Sequence, residues 1–527
     1  MKLVQVVRSD PFEEEEEATV ERKQQMPQQS SGWSWSENQL AVFSAVADTR
    51  DSLSVVSVAG SGKTTTGVEI ANRIDPELDA VYLAFNKRIV EELQRRLPPH
   101  VPAKTFHSAL LRDYMQWLSK RTRQRPKVDA YKVRNIVADA INAGNLDVEE
   151  GKLYSQAIGK LVAYAKSVGI GVLVPDSPEH WSELVEHFGM TLEPGQEEDR
   201  LIVLSRRVLE ENNRDVVVID FDDMLYLSLV HCVPLTRYDV VLIDEAQDTN
   251  GVQRALLSKM LNPGGRVIAV GDPCQAIYGF RGASTDAMAL IERDFMCTKL
   301  TLSVSYRCAR AIVEEARKFV HHIEASSTAP EGSVRTLNEW STATFVSGDA
   351  VLCRLNAPLV KLAYSMIAAR VKCRILGREI GQGLVTLIRK MKADTLAALE
   401  KKLLSYRAAE ISRLLARGKD NQAQAVDDKV NSIIAAVDGM NDGATVDELI
   451  DSLMSLFSDT SDDGVTLATV HKSKGSEWEN VYILDPHLMP SKWAKQTWQQ
   501  EQETYLQYVA TTRAKLNLTY ISSPQDD

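Results

Sequence analysis

The 527-residue sequence is short of the residues that build several protein classes. It has six cysteines, at 232, 274, 297, 308, 353 and 373. None forms a Cys-x-x-Cys pair or sits in a Cys/His cluster, so neither a zinc site nor a disulfide framework is expected, and a reducing cytoplasm fits. No apolar run approaches the length of a membrane span, and the first residues lack the apolar centre of a signal peptide. A surplus of positive charge is also missing. Lys and Arg total 61 against 72 Asp and Glu, a net charge of −11. That argues against a general polyanion binder. A local groove that uses stacking and a few cations remains open to such a chain. The Glu13 to Glu17 run exaggerates the acidity. Residues 1–33 are poor in apolar side chains and read as a disordered acidic and polar tail.

What is present is an ordinary globular composition, 44% hydrophobic and 25% charged, with room for roughly two to four domains. The stretch Leu53 to Thr66 organises the rest. A Val-rich run reads as a buried parallel strand. The chain then turns through Ala59-Gly60-Ser61-Gly62 into Lys63-Thr64 and a helix predicted over 65–74. Strand, glycine turn, Lys-Thr and helix make a P-loop. Glycines let backbone N–H groups curl around phosphate oxygens, and the helix N-terminus adds its dipole. Lys63 is placed to reach the β and γ phosphates of ATP and the Thr64 hydroxyl to hold Mg²⁺. Ser57 stands where the full pattern has glycine. Ser57, Val58, Ala59, Gly60, Ser61, Gly62, Lys63, Thr64 and Thr65 are the candidate nucleotide-binding loop.

The pattern along the chain is α/β, then helical, then α/β again, twice over. After the P-loop, Ala80 to Ala84 reads as a strand leading into Phe85-Asn86-Lys87. A third short strand closes at Lys104-Thr105-Phe106-His107-Ser108. Residues 108–215 read as a helical insertion carrying the basic run Lys120 to Lys127, five cations in eight residues. The strand Asp239 to Ile243 ends in Asp244-Glu245-Ala246-Gln247-Asp248. Acids at the carboxyl end of an apolar strand suit a nucleotide site, Asp244 for Mg²⁺ and Glu245 for the base that aligns water. Val267 to Val270 runs into Gly271 to Ala283, where Gln275 can sense a γ-phosphate and Tyr278 and Phe280 offer flat faces to a base. Leu300 to Leu302 reads as the start of a second α/β unit, which continues with strands near 350–354, 372–376, 465–469, 481–484 and 516–521. Residues 377–463 read as a second helical insertion.

These motifs, with Asp220 to Asp223, Tyr306-Arg307, His471 to Trp478 and Tyr508 to Ala514, follow one another in an order that resembles the UvrD/Rep/PcrA group of superfamily 1 DNA helicases. The likeness covers about residues 35–521, and the core is also similar to the helicase part of F-box DNA helicases. It implies an α/β fold of two RecA-like P-loop domains, parallel sheets flanked by helices, each with a mostly helical insertion. The first domain would comprise residues 34–107 and 216–299, the second 300–376 and 464–527. It further implies ATP between the domains and single-stranded DNA across their tops. Gln39 would read adenine and Tyr306 stack on it. Arg307 and Arg513 would be arginine fingers, and Glu477 would contact ribose or triphosphate. Phe85, Asn86, Thr105, His107, Tyr278, Phe280 and His471 would grip the strand. Phe280 replaces a Trp common in the group, Thr504 and Tyr505 replace basic residues, and the second insertion is small.

The activity implied is an ATP-dependent helicase or translocase, moving 3′→5′ on single-stranded DNA and opening duplexes at single-strand/duplex junctions. It would act as a monomer in the cytoplasm of a bacterial or phage-infected cell. The alternatives are a DNA-stimulated motor that strips proteins or serves a nuclease partner with little unwinding, and a non-catalytic ATP-binding scaffold. Intact Lys63, Thr64, Asp244, Glu245, Arg307 and Arg513 speak against the scaffold. RNA shares the backbone and stacking features that would be used. No acid-and-lysine nuclease cluster follows Ala514, so no cleavage activity is expected.

Overall fold

The computed structural model describes the chain except for residues 1–34, 191, 193–194, 278–285, 417–418, 459–463 and 525–527. The expected acidic tail therefore lies outside the described residues.

Two parallel sheets carry the architecture. The first has strands β1 (Leu53–Ser57), β2 (Ala80–Ala84), β3 (Ala103–Thr105), β4 (Tyr238–Ile243), β5 (Leu261–Gly271) and β6 (Thr298–Leu302) in the order β3-β2-β4-β5-β1-β6. β1 is buried at every residue because β5 and β6 flank it, with Leu53 opposite both Ile268 and Thr298. A strand covered on both edges and both faces reads as a continuous apolar run. Helices α1 (Glu37–Asp48), α2 (Lys63–Asn72) and α3 (Lys87–Gln94) accompany this sheet. α1 starts at a capping box in which the Ser36 hydroxyl accepts from the Gln39 N–H. α2 begins two residues before the predicted Thr65, and its uncapped first turn is what matters for the site.

One strand corrects the sequence reading. Leu300 to Leu302 does not open the second α/β unit; it belongs to β6, the outer strand of the first sheet, hydrogen-bonded to β1. A short apolar run carries no signal of which sheet accepts it.

The second sheet has β7 (Ser333–Leu337), β8 (Ala350–Cys353), β9 (Cys373–Leu376), β10 (Phe457–Ser458), β11 (Val465–Thr469), β12 (Trp478–Leu484) and β13 (Ala514–Ile521), ordered β7-β13-β12-β8-β11-β9-β10. β7 was missing from the sequence reading. It is a half-exposed edge strand with the mixed sequence Ser-Val-Arg-Thr-Leu, so it has no apolar run to betray it.

The first insertion contains α4 (Phe106–Thr122), α5 (Lys132–Asn142), α6 (Val148–Val168), α7 (Pro178–His187) and α8 (Glu198–Arg214). Its core packs Tyr114, Ile158, Leu161, Trp181, Leu201 and Val208. Met224, Tyr226 and Leu227 pack into the same core, while Leu225 and Leu229 face the first sheet. Residues just after 215 thus stitch insertion to sheet instead of belonging cleanly to either. The Asp220 to Asp223 motif makes that seam. Lys132 meets Asp223 at 2.8 Å, and Lys166 meets Asp220 at 2.6 Å and Asp223 at 2.8 Å. Buried pairs of this kind add little net stability, but removing one partner would leave the others buried and uncompensated.

A helix at Asn356–Ala368 (α9) follows β8. The second insertion is α10 (Arg378–Met391), α11 (Leu396–Leu415), α12 (Asp420–Asp438) and α13 (Val446–Leu456). The apolar spacing over 384–415 is shared between two of these helices. Lys392 turns left-handed with φ 47°, and Thr395 caps the next helix. Leu384, Leu399, Ile433 and Leu453 share one core with Val351 and Ile375 of the sheet. Helix α14 (Thr497–Thr511) packs on the other face, towards the first lobe. Among the described residues, no helix is long and apolar enough to cross a membrane.

Candidate nucleotide cleft and strand-binding residues

The P-loop turn is held open by backbone geometry. Gly60 has φ 72° and Gly62 φ 78°, a region that side chains enter only with strain. At Gly60 space is also short: a Cβ there would lie 2.4 Å from the Cβ of Arg307. Gly62 is the N-cap of α2 and no side chain caps it. The first-turn N–H groups of α2 therefore have no intrahelical acceptor and face the cleft, which is a ready anion site. The buried Ser61 hydroxyl likewise has no hydrogen-bond partner among the described residues. These features fit a polyphosphate.

The cleft has a volume of about 540 Å³ and is lined from both lobes, by Gly60 to Thr65, Glu245 and Gln275 on one side and Tyr306, Arg307, Glu477 and Arg513 on the other. Lys63 Nζ lies 3.4 Å from Glu245. Thr64 Oγ1 donates to Asp244 at 3.3 Å, so a hydroxyl and a carboxylate converge where a Mg²⁺ ion would need oxygen ligands. Glu245 is in the left-handed region at φ 51°, strain of the kind that collects at functional sites. Its side chain accepts from Gln247 Nε2 at 2.6 Å, and Gln247 Oε1 in turn accepts the Asp272 N–H at 2.9 Å.

Burial and charge divide these acids. Burial, then the Glu245 charge, pushes Asp244 up to about 6. Burial would also raise Glu245, but Lys63 and Lys474 together pull it down to about 2. Lys63 is lowered by burial and raised by Glu245, Asp272 and Asp244, and the acids prevail. The Arg513 side chain is fully enclosed. Burial, then the neighbouring Arg307, lowers it to about 10, so it still carries its charge at neutral pH.

The second lobe's residues are tied to the first. The Tyr306 N–H donates to Gly60 O at 2.8 Å, and its hydroxyl to Gln39 Oε1 at 3.4 Å. Gln39 also donates to Thr66 Oγ1 at 2.9 Å. Arg513 Nη2 donates to Gln275 Oε1 at 3.4 Å across the cleft. Arg307 pairs with Glu477 at 2.5 Å, and Lys515 joins the same carboxylate at 2.9 Å. Three residues of the candidate loop stand apart from the lining. Ser57 Oγ donates to Gly271 O at 2.8 Å, and Val58 and Ala59 are packed among second-lobe residues such as Cys308 and Ala510. The Ala59 N–H is taken by the Tyr508 hydroxyl at 2.7 Å. Ser57 therefore anchors β1 within the first sheet, and Val58 and Ala59, just ahead of the phosphate turn, serve lobe contact.

The candidate strand-binding residues divide into groups. Phe85, half exposed, and Asn86 line the edge of the nucleotide cleft. Asn86 also caps α3, accepting the Ile89 N–H at 2.9 Å. Thr105 caps α4 and exchanges hydrogen bonds with Ser108. His107 is half-buried, and burial lowers its pKa. His471 lies elsewhere, in a pocket of about 280 Å³ with Arg354, Asn356, Trp498 and Gln502. Tyr278 and Phe280 fall outside the described residues.

Sequence reasoning missed Lys474, Tyr508 and Trp498. Lys474 crosses from the second lobe to Asp248 at 2.7 Å and to Gln275 O at 2.7 Å. Tyr508 reaches Asp272 at 3.5 Å as well as Ala59. Both lie within the quoted motifs, so a signal existed, but no chemistry had been attached to it. Trp498 lies in no motif and touches the His187 ring of the first insertion at 5.4 Å.

Two parallel-sheet lobes closing on one glycine-turn cleft define a two-lobed P-loop protein. The match to known families narrows this. Residues 37–296 match the UvrD/REP helicase N-terminal domain, and residues 378–525 the UvrD-like helicase C-terminal domain. The chain belongs to the UvrD-like helicase family. Similar curated proteins include F-box DNA helicase protein 1 of Schizosaccharomyces pombe, 24% identical over 88% of this chain and 55% of the relative. F-box DNA helicase 1 of Gallus gallus is 25% identical over 88% of this chain and 46% of its own. The ATP-dependent DNA helicase PcrA of Staphylococcus epidermidis is 25% identical over 55% of this chain and 40% of its own. The chain thus spans about half the length of the curated relatives it matches.

Proposed function

We propose that this chain is an ATP-driven motor that moves along single-stranded DNA, 3′→5′, and opens duplexes ahead of it. The observation that carries the reading is the shared cleft: Lys63, Glu245 and Gln275 from one lobe face Tyr306, Arg307 and Arg513 from the other. A charge leaving the γ-phosphate would be met from both walls, so turnover depends on the lobes being together.

The residues present suggest how. The uncapped turn of α2 and Lys63 would hold the polyphosphate, and Thr64 and Asp244 would hold a Mg²⁺ ion, which would supply neutralisation of phosphate charge. Glu245 at about 2 is a poor proton acceptor while Lys63 is its partner. A phosphate that draws Lys63 away removes the main charge that holds Glu245 down. The base then becomes competent only in the loaded cleft. Gln275, bonded to Arg513, links the state of the cleft to the second lobe. Lys474, tied to Asp248 and Gln275 O, carries the same movement towards His471 three residues before it in the chain.

The test is ATP hydrolysis with and without oligodeoxythymidylate, followed by unwinding of duplexes tailed at the 3′ or the 5′ end. Stimulation by single strands and unwinding of the 3′-tailed duplex are expected. DNA-independent hydrolysis would remove the motor reading. Translocation without unwinding would leave a protein-stripping motor.

A further inference from the structure

We infer that the basic run of the first insertion is a second contact for single-stranded DNA, joined to the motor core by helix α4. This rests on the proposed DNA motor and extends its strand-binding surface.

Helix α4 starts beside Thr105 and His107 and runs straight to the basic run. Its 17 residues span about 25 Å at about 1.5 Å each. Ser108, Arg112, Met115 and Ser119 recur at helical spacing along one exposed stripe. With Arg125 they line one open groove of about 540 Å³. The two features that sequence alone left separate are the two ends of a single surface.

The charge at the far end is uncompensated. Lys120, Arg123, Arg125 and Lys127 are exposed and have no carboxylate partner among the described residues. Arg121 lies over the Trp117 ring at 5.6 Å instead of on an acid. Some exposed arginines elsewhere are paired, as Arg96 is with Glu92, Arg200 with Glu150 and Arg214 with Glu210, while Arg88 and Arg207 carry no ion pair among the described residues; what sets this run apart is its density, five cations in eight residues. In a chain of net charge −11, a cluster without acids is a local exception. It suits phosphates, whose condensed counterions it would release.

Single strand is favoured over duplex by two rings. Lys127–Val128 pairs in parallel with Val218–Ile219. Both strands leave the pair at the same end, one towards Tyr131 and the other towards Phe221. These rings are 64% and 56% exposed, and neither belongs to a hydrophobic core among the described residues. A flat face in solvent beside cations stacks bases that are not paired. The occupant would be the strand on the His107 side of the core, held between steps of the motor.

The test uses the full chain and fluorescence anisotropy. Two oligodeoxythymidylates are compared: a short one that the core alone fills, and one longer by about seven nucleotides, the ~25 Å of α4 at roughly 3.4 Å each. The Arg123→Ala/Arg125→Ala/Lys127→Ala variant should bind the short oligonucleotide as the wild type does, and be stimulated equally in ATP hydrolysis. Its affinity for the long one should fall about tenfold, with the salt slope smaller by about 2, at about 0.7 per lost phosphate contact. Tyr131→Ala should cost about fivefold or more on the long oligonucleotide only. An Arg-to-Lys version of the triple variant should retain binding. Equal loss on both lengths, no loss on either, or loss confined to a duplex arm would each overturn the assignment. Failure of the wild type to bind the short oligonucleotide would instead overturn the motor reading.

Discussion

Each lobe has a fully buried strand that turns into a helix, and the two turns are finished in opposite ways. In the first lobe β1 gives way to α2 through Gly60 and Gly62, and no side chain among the described residues caps the helix. In the second lobe β8 gives way to α9, and the protein supplies its own anion. Asp428 accepts the Asn356 N–H at 2.9 and 3.1 Å, the Ala357 N–H at 3.0 Å and Asn356 Nδ2 at 2.8 Å. The adjacent Arg354 is also occupied, in a fork on Glu503 at 2.7 to 3.1 Å. Parallel strand followed by helix therefore does not by itself make a phosphate site. What makes one is leaving the helix N-terminus without an internal partner, and adding a lysine.

The largest expected effect is at the open turn. Lys63→Ala should lower ATP hydrolysis by about 10³ or more, and Arg307→Ala by about 10³, the lower end for an arginine finger. Both should leave short-oligonucleotide binding near the wild-type level. Initial-rate assays with saturating single strand decide this. Turnover within tenfold of wild type in either variant would separate that residue from the cleft chemistry.

The two glycines of the open turn should differ. A methyl at Gly60 would meet Arg307 at 2.4 Å and Ser305 at 2.8 Å, so the lobes could not approach. At Gly62 the nearest atom is Gln39 Nε2 at 3.8 Å, and the cost is backbone strain alone, about 1–2 kcal/mol. Gly60→Ala should therefore lower kcat by about tenfold or more, while Gly62→Ala lowers the melting temperature with a smaller change in kcat. Equal kinetic defects would mean that φ alone, not lobe contact, is what Gly60 supplies.

At the closed turn, removal of the internal anion should act on stability. Asp428→Ala leaves two helix N–H groups and the Asn356 amide without their acceptor, a loss of about 1–3 kcal/mol. Urea denaturation followed by far-ultraviolet circular dichroism measures it. Inorganic phosphate or sulfate that restored stability to this variant and not to the wild type would show that the second turn has become an anion site.

Much of this contrast was legible in sequence, and the illegible part has a definite cause. Gly60, Gly62, Lys63 and Thr64 are neighbours in the chain, so their joint chemistry can be read locally. Asp244 and Glu245 announce themselves by ending an apolar strand. Arg307 and Arg513 have no local signal, and only the order of motifs suggested them. Asp428 is 72 residues from Asn356, on helix α12 of the second insertion. Its role exists only once the second insertion folds back on the sheet. The same holds for the β6 strand, which looked like the start of a new unit until β1 claimed its edge. Long-range pairing, not propensity, decided each of these.

The smallest effect concerns pH at the closed turn. Burial raises Asp428 above the ordinary carboxylate value of 3.8, and the N–H bonds from Ala357 and Asn356 only partly offset it. Its charged form is therefore the costlier one in the folded state. Between 3.8 and the raised value, the folded chain holds a proton that the unfolded chain has released. Stability from this group must rise as pH falls through that window, opposite to the usual salt-bridged aspartate. Asp428→Asn keeps an oxygen acceptor and cannot titrate. The stability of wild type relative to Asp428→Asn should thus improve as pH is lowered from 7 towards 4, and level off below. A difference constant across that range, or one moving the other way, would mean that the turn's N–H groups stabilise the carboxylate more than burial penalises it. The closed turn would then bind anion as strongly as the open one is proposed to, and the contrast between the lobes would lie in occupancy alone.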